Sequence, residues 1–410
     1  MLIANKRAAR TPYPTGLKAI LSIDAAHESR DWLSAWRELS DAPTPLYEWP
    51  GIAARLGVAN VSVKDESVRS ALGSFKALGA PIALVRLVMR LWPQSHLDTR
   101  KLLHGEYAEL LKGFTAISAT DGNHGRALAA AAQSVGCRCV IVLHVNVSME
   151  REAAIAAYGA EIVRIKGNYD ESVEEAARLA EVNAWHVVSD TSYEGYEDIP
   201  RDVMQGYGTI AAEIVEQVGA NPGRPSPFTH VLLQGGVGGL AAGIVSYLWE
   251  FHAQSRPRFV VVEPEQADCL YQSALQGRPA KATGSVDSVM AGLACGETSP
   301  LAWRFLQPGI DHFLTITDTE AIAAMRLAAA GSAGDVPIVM GESGAAGLAG
   351  LVALCADKEM ASSVGLDAHS RILLVNTEGA TAPSVYEQLA GEPASEVLRR
   401  QSAWAASAPR

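Results

Sequence analysis

Three short stretches carry side chains whose types and spacing could do chemistry. Ser74-Phe75-Lys76 sets an amine between an aromatic ring and the small residues Ala77, Gly79 and Ala80. An imine-forming lysine needs a dry pocket that lowers its pKa, so that a fraction is neutral and nucleophilic. Phe75 and the small residues suit such a pocket, which makes Lys76 the candidate. Thr120-Asp121-Gly122-Asn123-His124-Gly125 ends a strand-like run and opens a helix of small residues. N–H groups and hydroxyls at that helix start, among Thr120, Gly122 and His124, suit a substrate carboxylate. The Asn123 amide could hydrogen-bond a phenolic oxygen on a cofactor. The third stretch, Gly235-Gly236-Val237-Gly238-Gly239, turns from a strand into a helix beginning at Leu240. Its backbone N–H groups and the positive end of the helix dipole make a phosphate site that needs no cationic side chain.

Each stretch alone has a plainer reading. Lys76 could be a solvated lysine at a helix start, Asp121 a turn or N-cap carboxylate, and His124, which has no partner at metal-ligand spacing, a structural loop histidine. The glycine turn also fits a dinucleotide fingerprint, Gly236-x-Gly238-x-x-Ala241, with Glu263 at the end of the next strand to hold a ribose hydroxyl. A nucleotide-dependent oxidoreductase is therefore the rival from another class.

The elements that must position these residues follow a regular pattern. Strands are expected at 61–65, 114–119, 139–143, 161–165 and 185–189, with helices at 123–135, 148–158 and 169–182 between them. Asn168 and Glu171 stand at capping-box spacing for the last of these helices. After a Pro- and Gly-rich stretch, 221–228, further strands are expected at 230–233, 258–262, 312–317 and 371–375, with helices from Leu240, Asp318 and Ala345. Apolar strands alternating with helices imply parallel sheets covered on both faces. The fold class is α/β with two lobes and a cleft between them. Residues 1–55, rich in proline around a helical patch at 27–39, read as an arm over the larger body, and the tail after Glu396 reads as frayed.

The chain has 410 residues, 48% of them apolar and 19% charged, enough to bury more than one core. A formal charge of -11 argues against nucleic acid or an anionic membrane as partner. No segment approaches the roughly 20 apolar residues that span a bilayer. Met1-Leu2-Ile3-Ala4-Asn5-Lys6-Arg7 lacks the apolar core of a signal peptide, so a cytoplasmic location is expected. Five cysteines do not form a disulfide framework, and Cys137 and Cys139 are expected to be buried thiols rather than metal ligands.

Taken in order, the segments resemble the fold type II pyridoxal phosphate enzymes, and within them the diaminopropionate ammonia-lyases. The resemblance runs from about Leu46 to Pro383. It rests on Lys64-Asp65-Glu66-Ser67, Phe75-Lys76-Ala77-Leu78-Gly79, Ala119-Thr120-Asp121-Gly122-Asn123-His124-Gly125-Arg126 and Asp190-Thr191 with Glu194-Gly195-Tyr196-Glu197. Further on it takes in Val262-Glu263-Pro264-Glu265, Met290-Ala291-Gly292-Leu293, Gly341-Glu342-Ser343-Gly344-Ala345 and Asn376-Thr377-Glu378-Gly379.

The resemblance implies a large cofactor-binding domain from 1–83 and 188–410, a small domain from 84–187, and a homodimer. It implies that Lys76 binds pyridoxal phosphate, that Gly235, Gly236, Val237, Gly238 and Gly239 hold the phosphate, and that Asn123 meets the ring hydroxyl. Thr377, with Ser343 second, would face the pyridine nitrogen. No metal is implied. The activity implied is α,β-elimination, from D- or L-2,3-diaminopropionate to pyruvate and ammonia. Lys76 and Asp121 would be bases on opposite faces, and Asp190 a carboxylate that holds the β-ammonium or protonates the leaving amine. One departure favours a serine or threonine dehydratase or a β-replacing enzyme as the alternative. Gly73-Ser74-Phe75-Lys76 looks more like the dehydratases than like the ammonia-lyases, which tend to have Asn-Ala-Phe-Lys.

Overall fold

The computed structural model describes residues 1–40, 42–120, 122–167, 169–332 and 334–407. Eleven strands among them form two sheets. The larger joins β1 (Leu2–Ala4), β2 (Leu46–Glu48), β3 (Asn60–Asp65), β8 (His230–Gln234), β9 (Arg258–Pro264), β10 (His312–Ile316) and β11 (Arg371–Asn376) in the order β1-β10-β9-β8-β11-β3-β2. The smaller joins β4 (Thr115–Ala119), β5 (Arg138–Leu143), β6 (Glu161–Arg164) and β7 (His186–Val187) in the order β6-β5-β4-β7. Pairing in the smaller sheet is parallel throughout, as are the five central strands of the larger one. Every residue of β8 is buried, as a strand covered on both faces requires.

The N-terminal arm has a definite task. β1 and β2 add to the two edges of the large sheet antiparallel, with Ile3 opposite Phe313 and Tyr47 opposite Val63. Three residues suffice on each side to occupy edge N–H and C=O groups that would otherwise invite pairing with another chain. The expected helix at 27–39 lies earlier, at Ile23–Leu33, with the Ser22 side chain accepting the Ala25 N–H. The C-terminal segment is helical from Ala394 to Ser407 rather than frayed. Its Val397 is buried and Trp404 packs edge-on to Tyr47, so the helix is docked by apolar contact that a polar sequence conceals. Asn168, the proposed cap, lies outside the described residues.

Two features near the lysine depart from a simple helix start at Ala77. Phe75–Leu78 forms a 3-10 turn, and the α-helix begins at Ala80 with Pro81 in its first turn. Against this turn lies the 20-residue helix Asp198–Gln217, buried around nearly its whole circumference. Such a helix shows no apolar stripe for a sequence pattern to reveal. Close approach depends on glycine: a Cβ on Gly206 would lie 2.0 Å from the Leu78 carbonyl oxygen, and one on Gly79 2.6 Å from the Tyr207 ring.

The same helix anchors a buried ionic network. Lys64 Nζ donates to Glu213 Oε2 at 2.7 Å, to the Thr44 carbonyl at 2.7 Å and to Gln217 Oε1 at 2.9 Å. Arg69 grips Glu213 through Nη1 at 2.6 Å and Glu66 through Nε at 2.8 Å. The network ties the arm, β3 and the approach to Lys76 to one helix. Truncating Glu213 leaves Lys64 buried without a carboxylate partner and Arg69 with Glu66 alone, and losses of roughly 3–5 kcal/mol are usual for a broken buried pair. Glu213→Ala is therefore expected to lower unfolding free energy by about that amount in chemical denaturation, with Glu213→Gln losing less because an acceptor remains.

Candidate active site

A cleft with about 1030 Å³ of empty space, part of it open to solvent, lies between the C-terminal ends of the strands of the two sheets. Ligands bind at that position in open α/β sheets generally. Lining it are Lys76, Thr120, Gly122, Asn123, His124, Asp190, Gly236, Val237, Gly238, Gly239, Ser343 and Thr377, picked from widely separated stretches of sequence. Asp121 lies outside the described residues. Gly235 stands behind the cleft wall. A Cβ there would fall 2.6 Å from Glu263 Cγ and from Val261 Cγ1, so this glycine serves strand packing rather than the cradle.

Lys76 Nζ meets Asp190 Oδ2 at 2.5 Å, below the faces of Phe75 and Tyr207 at 5.1 and 5.8 Å. The dry pocket exists, yet its effect on the lysine differs from the expectation. Burial pulls the amine's pKa down, but the attraction of the Asp190 carboxylate outweighs it, and Lys76 is held above the ordinary lysine value. Burial likewise pushes the Asp190 carboxyl up, and the charge of Lys76 reverses this to hold it far below the usual carboxylate range. In this state the pair is ionic, and the lysine becomes nucleophilic only when it gives up a proton.

The glycine turn is a cradle. Gly238 has φ of 103°, and a Cβ there would sit 2.7 Å from Leu306 Cδ1, so no other residue fits. The helix Gly239–His252 starts at the turn and directs its first N–H groups into the cleft. Glu263 is unavailable to a ribose. It is fully buried and accepts the Leu270 and Tyr271 N–H groups, each at 2.8 Å, and burial raises its pKa. The dinucleotide reading fails on that commitment.

In the asparagine loop, Thr120 Oγ1 accepts the N–H groups of Gly122 at 3.1 Å and Gly125 at 3.3 Å and fixes the turn. His124 Nε2 lies 2.9 Å from the Val188 carbonyl oxygen. A carbonyl only accepts, so Nε2 carries the hydrogen. Burial lowers the imidazole's pKa and keeps it neutral, which leaves Nδ1 a bare acceptor, 3.9 Å from Asp190 Oδ2. The His124 ring therefore has no donor for a carboxylate, and only its main-chain N–H can serve one. The structural reading of this ring prevails.

Residues with no assigned role in the sequence reading complete the site. Asn123 Nδ2 donates to Glu378 Oε2, and the Ser343 N–H donates to Glu378 Oε1 at 3.1 Å. Arg151 pairs with Glu342 at 2.6 Å across the cleft mouth. Glu342 and Glu378 stand inside the matched segments around Gly341 and Asn376, which was the available signal; Tyr207, on the stripe-free helix, had none. Ser343 Oγ accepts the Gly292 N–H at 2.9 Å, and both Ser343 and Thr377 line the cleft. Cys139 is buried and Cys137 half-buried, and burial raises both thiols.

A half-buried lysine facing a glycine cradle at a helix N-terminus, in a cleft between two mostly parallel sheets, defines the fold type II pyridoxal phosphate enzymes. The residues fit the group: the cradle offers N–H donors to a phosphate, Lys76 an amine to an aldehyde, and Asn123 and Thr377 polar groups to a ring. The family model described as pyridoxal-phosphate dependent enzyme matches residues 38–378, and the chain belongs to that family. Within it the chain is similar to the diaminopropionate ammonia-lyase of Salmonella typhimurium, 38% identical over 389 residues, which cover 93% of this chain and 95% of that one. The holo diaminopropionate ammonia-lyase of Escherichia coli superposes with a TM-score of 0.84 at 35% identity, covering 95% of this chain and 96% of that one. The same E. coli protein in complex with an aminoacrylate-PLP azomethine reaction intermediate gives 0.83.

Glu342 supplies a pH test. Its burial and the neighbouring Glu378 push its carboxyl up to about 7, against the pull of Arg151. A folded-state pKa above the unfolded value means the folded form binds the extra proton between the two. Stability from this group is then complete below about 4.5 and is lost as pH rises toward 7. Melting temperature should therefore fall between pH 5 and pH 8 more steeply in the parent than in Glu342→Gln, as read by thermal denaturation at fixed ionic strength.

Proposed function

We propose that this chain is a pyridoxal phosphate-dependent ammonia-lyase that converts 2,3-diaminopropionate and water to pyruvate and two molecules of ammonia. The observation that carries the reading is the half-buried Lys76–Asp190 pair beside the glycine cradle. When bound, the cofactor supplies an electron sink that acidifies the substrate α-carbon and lets the β-substituent depart. Lys76 would hold it covalently, Gly236 to Gly239 its phosphate, Asn123 its ring hydroxyl and Thr377 its pyridine nitrogen, ahead of Ser343. Main-chain N–H groups of the asparagine loop orient the substrate carboxylate. Lys76 Nζ takes the α-proton on one face, and Asp121 takes it on the other for the opposite configuration.

Asp190 acts as a cation holder more than as a proton donor. While Lys76 is charged, Asp190 remains an anion. Once the lysine's charge is withdrawn, burial leaves that anion in need of another cation, and a substrate β-ammonium is one. A serine or threonine dehydratase or a β-replacing enzyme is kept as the second reading for one reason: the lysine loop, Gly73-Ser74-Phe75-Lys76, looks more like the dehydratases. We take the two sheets to head a large domain of 1–83 with 188–410 and a small domain of 84–187. A cytoplasmic homodimer acting on a free amino acid completes the proposal. No helix among the described residues is long and apolar enough to cross a membrane.

The purified protein should absorb in the visible, lose that band with borohydride, and lack it in Lys76→Ala. Keto acid release should be greatest with diaminopropionate, assayed beside D- and L-serine; no release from either diaminopropionate isomer would refute the substrate. Asp121→Asn is expected to cut turnover of one isomer by about 10²–10⁴-fold, the usual range for a lost general base, and to spare the other.

A further inference from the structure

We propose that Glu378 is a positioning residue that fixes the orientation of the Asn123 amide. Two facts give the inference its force. The first is chemical: an ionised carboxylate has acceptors only, so a contact between Glu378 Oε2 and the Asn123 side chain must use the amide nitrogen. This assigns which way the amide faces, a choice otherwise open for any asparagine. One N–H is spent on Glu378, and the amide keeps a second N–H to offer in the cleft. Were the amide to turn over, its carbonyl oxygen would take that place, and a ring oxygen on the ligand would meet an acceptor instead of a donor.

The second fact is that Glu378 is itself immobile. Its other oxygen receives the Ser343 N–H at 3.1 Å, and its carbonyl receives the Gly341 N–H at 2.9 Å. Its backbone bridges to Ser74, two residues before Lys76. The Phe75 N–H donates to the Thr377 carbonyl at 3.0 Å. Glu378 is 4% exposed and lines the cleft. A single carboxylate therefore references the asparagine loop, carried by the small sheet, to the lysine loop, carried by the large one. The inference rests on the proposed reading of Asn123 as partner of the cofactor's ring hydroxyl, and its test separates the two.

The full-length holoenzyme and its Asn123→Ala, Glu378→Ala and double variants would be compared by the position of the visible absorption band. Apo forms would be titrated with pyridoxal phosphate. Glu378→Ala is expected to move the band in the same direction as Asn123→Ala and to weaken cofactor binding about tenfold, the scale of one hydrogen bond. Both effects should disappear when Asn123 is already alanine. A shift that persists in the Asn123→Ala background, or a Glu378→Ala protein with an unmoved band and unchanged affinity, overturns the inference while leaving the role of Asn123 intact. An unmoved band in Asn123→Ala overturns both. Should Glu378→Ala fail to fold, Glu378→Gln retains the volume and frees the amide to turn over, and it must then show the same shift, smaller in size, and the same dependence on Asn123.

Discussion

An ammonium and a carboxylate 2.5 Å apart, both half-buried in the cleft wall, set the terms for the rest of this molecule. Either charge alone in that position would cost several kcal/mol, and neither partner can leave without a substitute. The surroundings keep the pair dry and in register. Phe75 and Tyr207 cover it with rings whose centroids lie 4.7 Å apart, edge to face. Gly79 and Gly206 let the lysine turn press on the helix that carries Tyr207. That helix is in turn held by Glu213 to Lys64 and Arg69, on the strand and turn that lead into the lysine loop. A second ionic network, itself buried, thus supports the first, and the charged groups in both are balanced by named partners.

On the large-sheet side of the cleft the loops are tied to one another by main-chain contacts, and the small sheet meets them through side chains. Phe75 bonds to Thr377, Gly379 to Gly73 and Gly341 to Glu378, so the lysine loop, the end of β11 and the glycine segment before Ala345 form one rigid seam. Asn123 and Arg151 reach this seam from the small-sheet side. Backbone hydrogen bonds have fixed lengths and directions. A site built on them holds its groups within the tolerances that proton transfer demands.

Much of this was legible in the sequence, and the reasons are specific. β8 could be seen because Val231, Leu232 and Leu233 run without interruption into glycines, a pattern that belongs to a strand buried on both faces. The helix Asn123–Val135 has the bounds expected of it, since Gly136 takes the left-handed cap conformation. The helix 198–217 was hidden by uniform burial and by Pro200 in its first turn, and β1 and β2 by their three-residue length. Of the site, the residues that touch a cofactor announce themselves by type. The charged residues that pair around them, Glu378, Glu342 and Arg151, are ordinary until the chain folds. The raised pKa of Lys76 was beyond reach for the same reason: it depends on Asp190, 114 positions away in the chain.

The distribution of charge in the cleft then bears on which substrates it can admit. Arg151 is paired with Glu342, whose carboxyl burial and Glu378 push up, and Lys76 is paired with Asp190, while Glu378 is a further acidic residue on the cleft wall. An aldehyde that took up Lys76 would loosen the ion pair that now balances Asp190, while Asp190 and Glu378 would both still line the cleft. A substrate with an acidic side chain would add to that negative charge at short range in a low dielectric, where repulsion is strong. A substrate with a second amine relieves it. Under the proposed function, the acid held close to the lysine would do two things: it pairs the ammonium of Lys76, and it would favour an amine on the substrate once that lysine is engaged. Because the same carboxylate would do both, a change that loosened amine selection there would also uncover a half-buried charge in the resting protein.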